Sequence, residues 1–275
     1  MKMQITLPDI NEVIEKIKPL KSSFDGESKT INDWVMIHKN RIKVNQSLYK
    51  SKKEENDIKI LIILLNDLLM RAMSGERGSK IKIALEKNIK SKSDLNSQVY
   101  QQVLKDAQYR FPNDGIDVIN NVVNYFQKDL SWNWQSYFAQ AARHSQDNFC
   151  QDRLLTIKGI KFKVRDLALA NFNENYVAND LHVARVSTRL GLLNYGFEFL
   201  PDPKLEMGNN PSNDKNYLFL HKLFIRLSEL TNNTWHLVDF DRMFWHFGRT
   251  ICNDKPECIT CPLQKICMIG MKVQR

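Results

Sequence analysis

Four of the chain's five cysteines crowd into one short stretch, Cys252-x5-Cys258-x2-Cys261-x5-Cys267, while Cys150 stands alone. No other feature restricts the local fold so strongly. Thiolates are the soft ligands that zinc and iron–sulfur clusters select, and thiols packed this tightly point to a metal site. Zinc modules built on four cysteines usually have two C-x-x-C knuckles separated by a longer span. Here one such pair is flanked by two single cysteines in a compact loop. That pattern suits the four corners of a [4Fe–4S] cubane better than two knuckles, with zinc and unrelated thiols as the alternatives.

The remainder of the chain has a helical character. It holds 10 glycines and 8 prolines in 275 residues, below the usual share, and 43% apolar residues, enough for a core. That length suits one large domain or two small ones. The longest apolar run, Ile60 to Leu65, is far too short to span a bilayer. The N-terminal MKMQITLPDINEVIEK carries early acids and no apolar core of the kind secretory signals need, so an intracellular protein is expected. The net charge of +9 suits a polyanionic partner, although spare surface lysines give the same sum.

Periodicity predicts a succession of short helices. Ile10, Val13, Ile14 and Ile17 share one face, and a second stripe runs through Trp34, Ile37, Arg41, Val44 and Leu48. Ile58–Met73 is apolar almost all round, as in a buried helix. Further helices are predicted over 79–88, 95–107, 115–128 and 133–143, with a break at Pro112–Gly115. A last pair covers 150–157 and 161–171. Helices at 180–190, 217–230 and 236–248 follow, with a surface loop at Pro201–Asn216, no internal repeat and little convincing strand. Cys150 reads as a small buried apolar residue.

Residues 154–167, Leu-Leu-Thr-Ile-Lys-Gly-Ile-Lys-Phe-Lys-Val-Arg-Asp-Leu, carry apolar positions on two short helices around a turn at Gly159. A turn of this kind aims backbone N–H groups at a phosphate, helped by the dipole of the following helix. An ordinary helical turn with one glycine is the plainer reading. Lys163 lies in the first turn of the second helix, where burial and the helix dipole both disfavour the ammonium form that a nucleophilic amine must shed. A solvated surface lysine is the alternative. Asp180, or Asn179, is placed to cap the next helix.

The segment His246-Phe-Gly-Arg-Thr-Ile-Cys252, with Lys255-Pro-Glu-Cys258-Ile-Thr-Cys261 after it, resembles the iron–sulfur loop that ends the endonuclease III branch of the helix-hairpin-helix DNA glycosylases. The first spacer is one residue shorter than the family's. The turn Gly159-Ile160-Lys161-Phe162-Lys163 is similar to the family hairpin, with Lys161 where the second glycine usually stands and Arg165 where a small residue does. Lys163-Val164-x-Asp166 is also similar to the 8-oxoguanine glycosylase branch. Asp180-Leu181-His182-Val183-Ala184-Arg185 resembles the segment bearing the family's catalytic aspartate. The likeness spans about residues 58–267 and is specific over 154–189 and 246–267.

The resemblance implies an all-α protein of two helical lobes with a DNA-binding cleft between them. An orthogonal bundle at 57–174 would hold the hairpin (about 154–171), and residues 1–56 with 175–275 would form the lobe bearing a [4Fe–4S] cluster on Cys252, Cys258, Cys261 and Cys267. It implies a monomeric base-excision enzyme, acting on double-stranded DNA with a damaged base or an abasic site. Lys163 would form a Schiff base, Asp180 would assist it, and β-elimination would nick the strand. Gly159, Lys158, Lys161, Arg185 and Lys255 would contact DNA. Oxidised pyrimidines fit the loop best, with oxidised purines, mismatched or modified bases open. Turns at 70–78 or 109–115, through Arg71, Met73, Arg110 or Phe111, would fill the gap left by the base. A non-catalytic DNA or abasic-site binder of the same fold is the rival, supported by Lys161 and Arg165.

Overall fold

The computed structural model describes residues 8–51, 53–70, 75–145, 151–192 and 214–273. Within them the order is α1 (Ile10–Ile17), β1 (Lys21–Phe24), β2 (Glu27–Thr30), α2 (Ile31–Lys50), α3 (Glu54–Leu68), α4 (Gly75–Asn88), α5 (Ser97–Asp106) and α6 (Pro112–Asn124). Then come α7 (Trp134–His144), α8 (Phe162–Leu169), α9 (Leu181–Leu190), α10 (Asp214–Leu230), α11 (Leu237–Thr250) and α12 (Met268–Val273). Packing divides the chain into Met1–Lys39 with Asn179–Arg275, and Asn40–Ala178. The lobes that the resemblance implies put their first boundary at the polar run after α2. The packing division falls within α2, between Lys39 and Asn40.

In the unit Asn40–Ala178, α3 is the central element. Ile58, Ile60, Leu61, Leu64, Leu65 and Leu68 are all buried, so most of the helix surface is covered, as its apolar sequence requires, while Glu55 and Lys59 stay exposed. It packs against α4, α6 and α8. Glu54, Glu55 and Asp57 sit in its first turn, where carboxylates complement the helix dipole. The expected break at Pro112–Gly115 is a helix start. Pro112 occupies the first turn of α6, where its missing N–H costs nothing. A Cβ on Gly115 would meet Leu104 and Tyr109 side chains at 2.9 Å, so glycine lets α6 approach α5. Helix α6 ends in a π-helical turn, Tyr125–Asp129.

The second unit begins with α1, whose buried face is the one its spacing predicts: Ile10, Val13, Ile14 and Ile17. Two corrections follow. A strand pair is present after all: β1 pairs antiparallel with β2, Phe24 opposite Glu27. Asp25 (φ 51°) and Gly26 (φ 78°) form the turn, a dipeptide suited to the left-handed conformations that tight hairpins require. The stripe read along α2 is also misplaced. Its buried face is Ile31, Val35, His38, Ile42 and Asn45, while Ile37 and Val44 are exposed. Both stripes have helical spacing, and local periodicity does not say which one meets a neighbour. Cys150, Arg71, Met73 and residues 201–213 of the predicted loop lie outside the described residues, and the last three residues of that loop, 214–216, instead begin α10.

The N-terminal hairpin packs on α11. His246 stacks on Trp34 with ring centroids 5.2 Å apart, and its Nδ1 lies 2.9 Å from Ser22 Oγ. Phe24 meets Trp34 and Trp245 edge-on, and the Arg249 guanidinium lies over Phe24 and Trp245. Burial, with Arg242 and Arg249 nearby, pushes His246 down to about 3. The folded state therefore refuses a proton that the unfolded chain accepts near pH ~6.5. As pH falls below that value the unfolded state gains protons and stability declines, by up to ~1.4 kcal/mol per pH unit until the folded pKa is reached. Urea unfolding at about pH 7, 6 and 5 should show this decline, and His246→Gln should flatten it. Equal slopes in the two proteins would assign the decline to other groups.

Candidate active site and thiol pocket

The predicted hairpin is shorter than its sequence suggested. Its first element is a single 3₁₀ turn, Arg153–Thr156, which Asp152 caps by accepting from the Leu154 amide at 2.9 Å. Ile157 turns extended, and Gly159 adopts φ 97°, a left-handed conformation open to glycine. A Cβ there would also press on Val118 at 3.1 Å. Ile160 is buried beneath the turn, and Lys161 occupies the N-cap of α8 without a side-chain acceptor to offer. Within the described residues nothing accepts from the amides of Lys163 and Val164 at the start of α8. Lys158, Lys161 and Lys163 are all exposed around this turn. The burial expected for Lys163 is absent: its neighbours Phe162 and Val164 turn inward while Lys163 faces out.

Arg165 is fully buried and explains a departure that the sequence left open. Its Nη1 reaches Asp152 Oδ2 at 3.3 Å, and its Nε pairs with Asp166. Burial alone would disfavour this charge, but Asp166 and Asp152 outweigh it and hold the guanidinium ionised. The ring of Tyr176 lies 5.3 Å from Arg165, and Tyr137 Oη donates to Asp152. The charge thus joins the residue that starts the hairpin to the helix that ends it.

In the other unit, Asp180 is the N-cap of α9. Its Oδ1 accepts from the amides of His182 (2.8 Å) and Val183 (3.0 Å). Its Oδ2 makes no hydrogen bond within the described residues. Asn179 is fully buried with neither side-chain polar atom paired, and its amide donates to Tyr217 Oη at 3.3 Å. Helix α9 packs closely on α11 at Gly248, where a Cβ would lie 2.9 Å from the His182 carbonyl. The His-x-Gly-Arg lead-in is therefore a packing motif: His246 seats the hairpin, and Gly248 admits α9.

All four clustered cysteines line one cavity of about 410 Å³, counting its solvent-facing mouth, with Arg189, Leu190, Phe247 and Leu263 among its walls. Among the described residues no three His, Cys, Asp or Glu side chains converge on a point that would hold a single metal ion. Four thiols lining one cavity are a donor set that suits an iron–sulfur cluster. Burial raises the thiol pKa of Cys252, Cys261 and Cys267; Arg189 opposes it at Cys252. The loop hangs from α9. Arg185 pairs with Asp254 and reaches the Gly248 carbonyl, so the side chain expected at DNA is engaged in holding the loop. Arg189 Nη1 reaches the carbonyls of Cys252 (3.2 Å) and Asn253 (2.6 Å). Arg189 escaped the sequence reading, although it sits one helical turn after Arg185. The Lys255 side chain is exposed.

No known protein family matches the chain, and no curated protein does. Among solved structures it is similar to endonuclease III trapped as a covalent intermediate with DNA, an estranged-adenine complex. The TM-score is 0.50 and the identity 19%, over 88% of this chain and 99% of that one. The fold is that of endonuclease III.

Arg165→Met should destabilise the protein by about 3–5 kcal/mol, because it leaves two carboxylates buried without their counterion. Chemical denaturation measures this. A loss under about 1 kcal/mol would mean that the carboxylates are neutralised some other way.

Proposed function

We propose that this protein is a base-excision DNA glycosylase with abasic-site lyase activity. The observation that supports this most directly is Lys163. It is an exposed amine in the first turn of α8, beside a left-handed glycine turn and unpaired amides, in a chain with the endonuclease III fold. A protein of that fold has been trapped covalently on DNA. A duplex hides its bases, so the damaged nucleotide must first leave the stack. Lys163 Nζ then attacks the sugar C1′, and the glycosidic bond breaks with its electron pair leaving on the base. Ring opening gives an imine between Lys163 and C1′. Loss of a C2′ proton expels the 3′ phosphate and nicks the strand.

Asp180 suits the assisting role. One oxygen is tied to the start of α9, which fixes the carboxylate, and the other is free to face cationic character at the sugar or to carry a proton. Lys158, Lys161 and the amides after Gly159 suit phosphate contacts, which give salt-sensitive affinity without sequence preference. Cys252, Cys258, Cys261 and Cys267 would hold a [4Fe–4S] cluster, which would cross-link the loop when bound. The rival non-catalytic reading loses part of its support, since Arg165 is a buried tie and not a disrupted hairpin surface. An oxidised pyrimidine remains the proposed lesion.

Borohydride trapping on duplexes carrying an abasic site, thymine glycol or 8-oxoguanine tests this. Wild type should give a covalent band, strongest on its preferred lesion. Lys163→Ala should abolish it, and Asp180→Asn should reduce it by at least tenfold while DNA binding persists. Binding without any trapped band would favour the non-catalytic reading or a glycosylase that uses water.

A further inference from the structure

The shortened first spacer of the cysteine loop is where this chain departs from the loop it resembles. That same spacer is held by α9 from outside. Arg189 Nη1 lies 3.2 Å from the Cys252 carbonyl, 2.6 Å from the Asn253 carbonyl and 3.6 Å from Cys252 Sγ. Its own backbone carbonyl lies 3.1 Å from Cys267 Sγ. One residue outside the loop thus touches both its first and its last cysteine, and it also lines the cavity. Among the described residues Arg185, one turn earlier, pairs with Asp254 and reaches the Gly248 carbonyl, with no hydrogen bond to a sulfur.

We propose that Arg189 is the residue that tunes and retains the iron–sulfur cluster, by donating to Cys252 Sγ and clamping the short Cys252–Cys258 spacer. The proposal rests on the cluster reading given above. An N–H donor and a positive charge beside a ligating sulfur favour the reduced, more negative cluster and so raise its potential. Outer groups that orient ligands also govern how firmly a metal centre is held. One guanidinium nitrogen, Nη1, reaches all three acceptors: the Cys252 and Asn253 carbonyls and Cys252 Sγ.

The test uses the purified, iron-loaded protein and its Arg189→Gln, Arg189→Lys and Arg185→Gln variants. Midpoint potential, iron release under air and far-ultraviolet circular dichroism are measured on each. Arg189→Gln should stay folded and change the reduced-to-oxidised ratio about tenfold, a downward shift of about 59 mV for one electron. A folded Arg189→Gln protein that releases its iron severalfold faster, or cannot keep it, also supports the clamp, provided Arg185→Gln retains its iron. Arg189→Lys should recover part of either effect. Wild-type potential and iron release in Arg189→Gln would overturn the proposal. Equal effects in Arg185→Gln would do so too, since they would mean general loosening of the loop. A wild-type protein without iron, or with zinc, would overturn the cluster reading itself, and this shows before any substitution is compared.

Discussion

Helix α9 is ten residues long, and the arrangement of its unit depends on it. Its first amides are tied to the Asp180 carboxylate, and its middle lies against α11 at Gly248. Its last two turns carry the arginines that hold the cysteine loop. A carboxylate at a helix start and cations towards its end both agree with the helix dipole, so the helix is stabilised by the same groups that serve the site. The close approach at Gly248 leaves little freedom for the helix to tilt.

The other unit uses a buried charge for the corresponding purpose. A hairpin built of one 3₁₀ turn and an eight-residue helix has too few side chains to fix its own angle by packing alone. Arg165 ties its entry at Asp152 to its exit at Asp166, with Tyr137 and Tyr176 against the group. Such a network is a poor source of net stability, because desolvation offsets most of the attraction. Its value lies in direction: a bidentate, planar cation accepts few geometries. Where a small residue would leave the hairpin to ordinary packing, Arg165 imposes one arrangement.

Much of the helical layout was legible from spacing and punctuation. The stripe of α1, the largely buried α3 and the cap at Asp180 all follow from local rules about periodicity and side-chain oxygens. The cysteine spacing drew attention to the thiol pocket for the same reason. What could not be read depends on distant contacts. The second stripe of α2 was as periodic as the true one, and only its neighbours decide between them. The β1–β2 hairpin carried its Asp-Gly signal, but short strands without alternating apolar residues give little else to recognise. Arg165 looked like a flaw in a surface motif, because its partner Asp152 precedes the turn and its burial needs Tyr176 from beyond α8. Arg189 serves acceptors 63 and 64 residues later in the chain, beyond the reach of any local pattern.

The two residues proposed for chemistry both stand at helix starts, yet in opposite relation to local physics. An aspartate capping α9 is what helix formation favours, and its position alone argues for nothing further. Lysines at the cap and in the first turn of α8 are what helix formation disfavours, by roughly 0.3–1 kcal/mol each. Neither Lys161 nor Lys163 offers an acceptor to the amides beneath it, and neither is buried in compensating contacts. Sequences tend to agree with local rules, and their breaches concentrate where something else is served. An uncapped helix start that gathers cations and bare amides together makes sense for a surface that meets an anionic partner, since that partner supplies both the missing acceptors and the missing countercharge. For α8, then, the local breach and the proposed encounter with a DNA backbone account for each other.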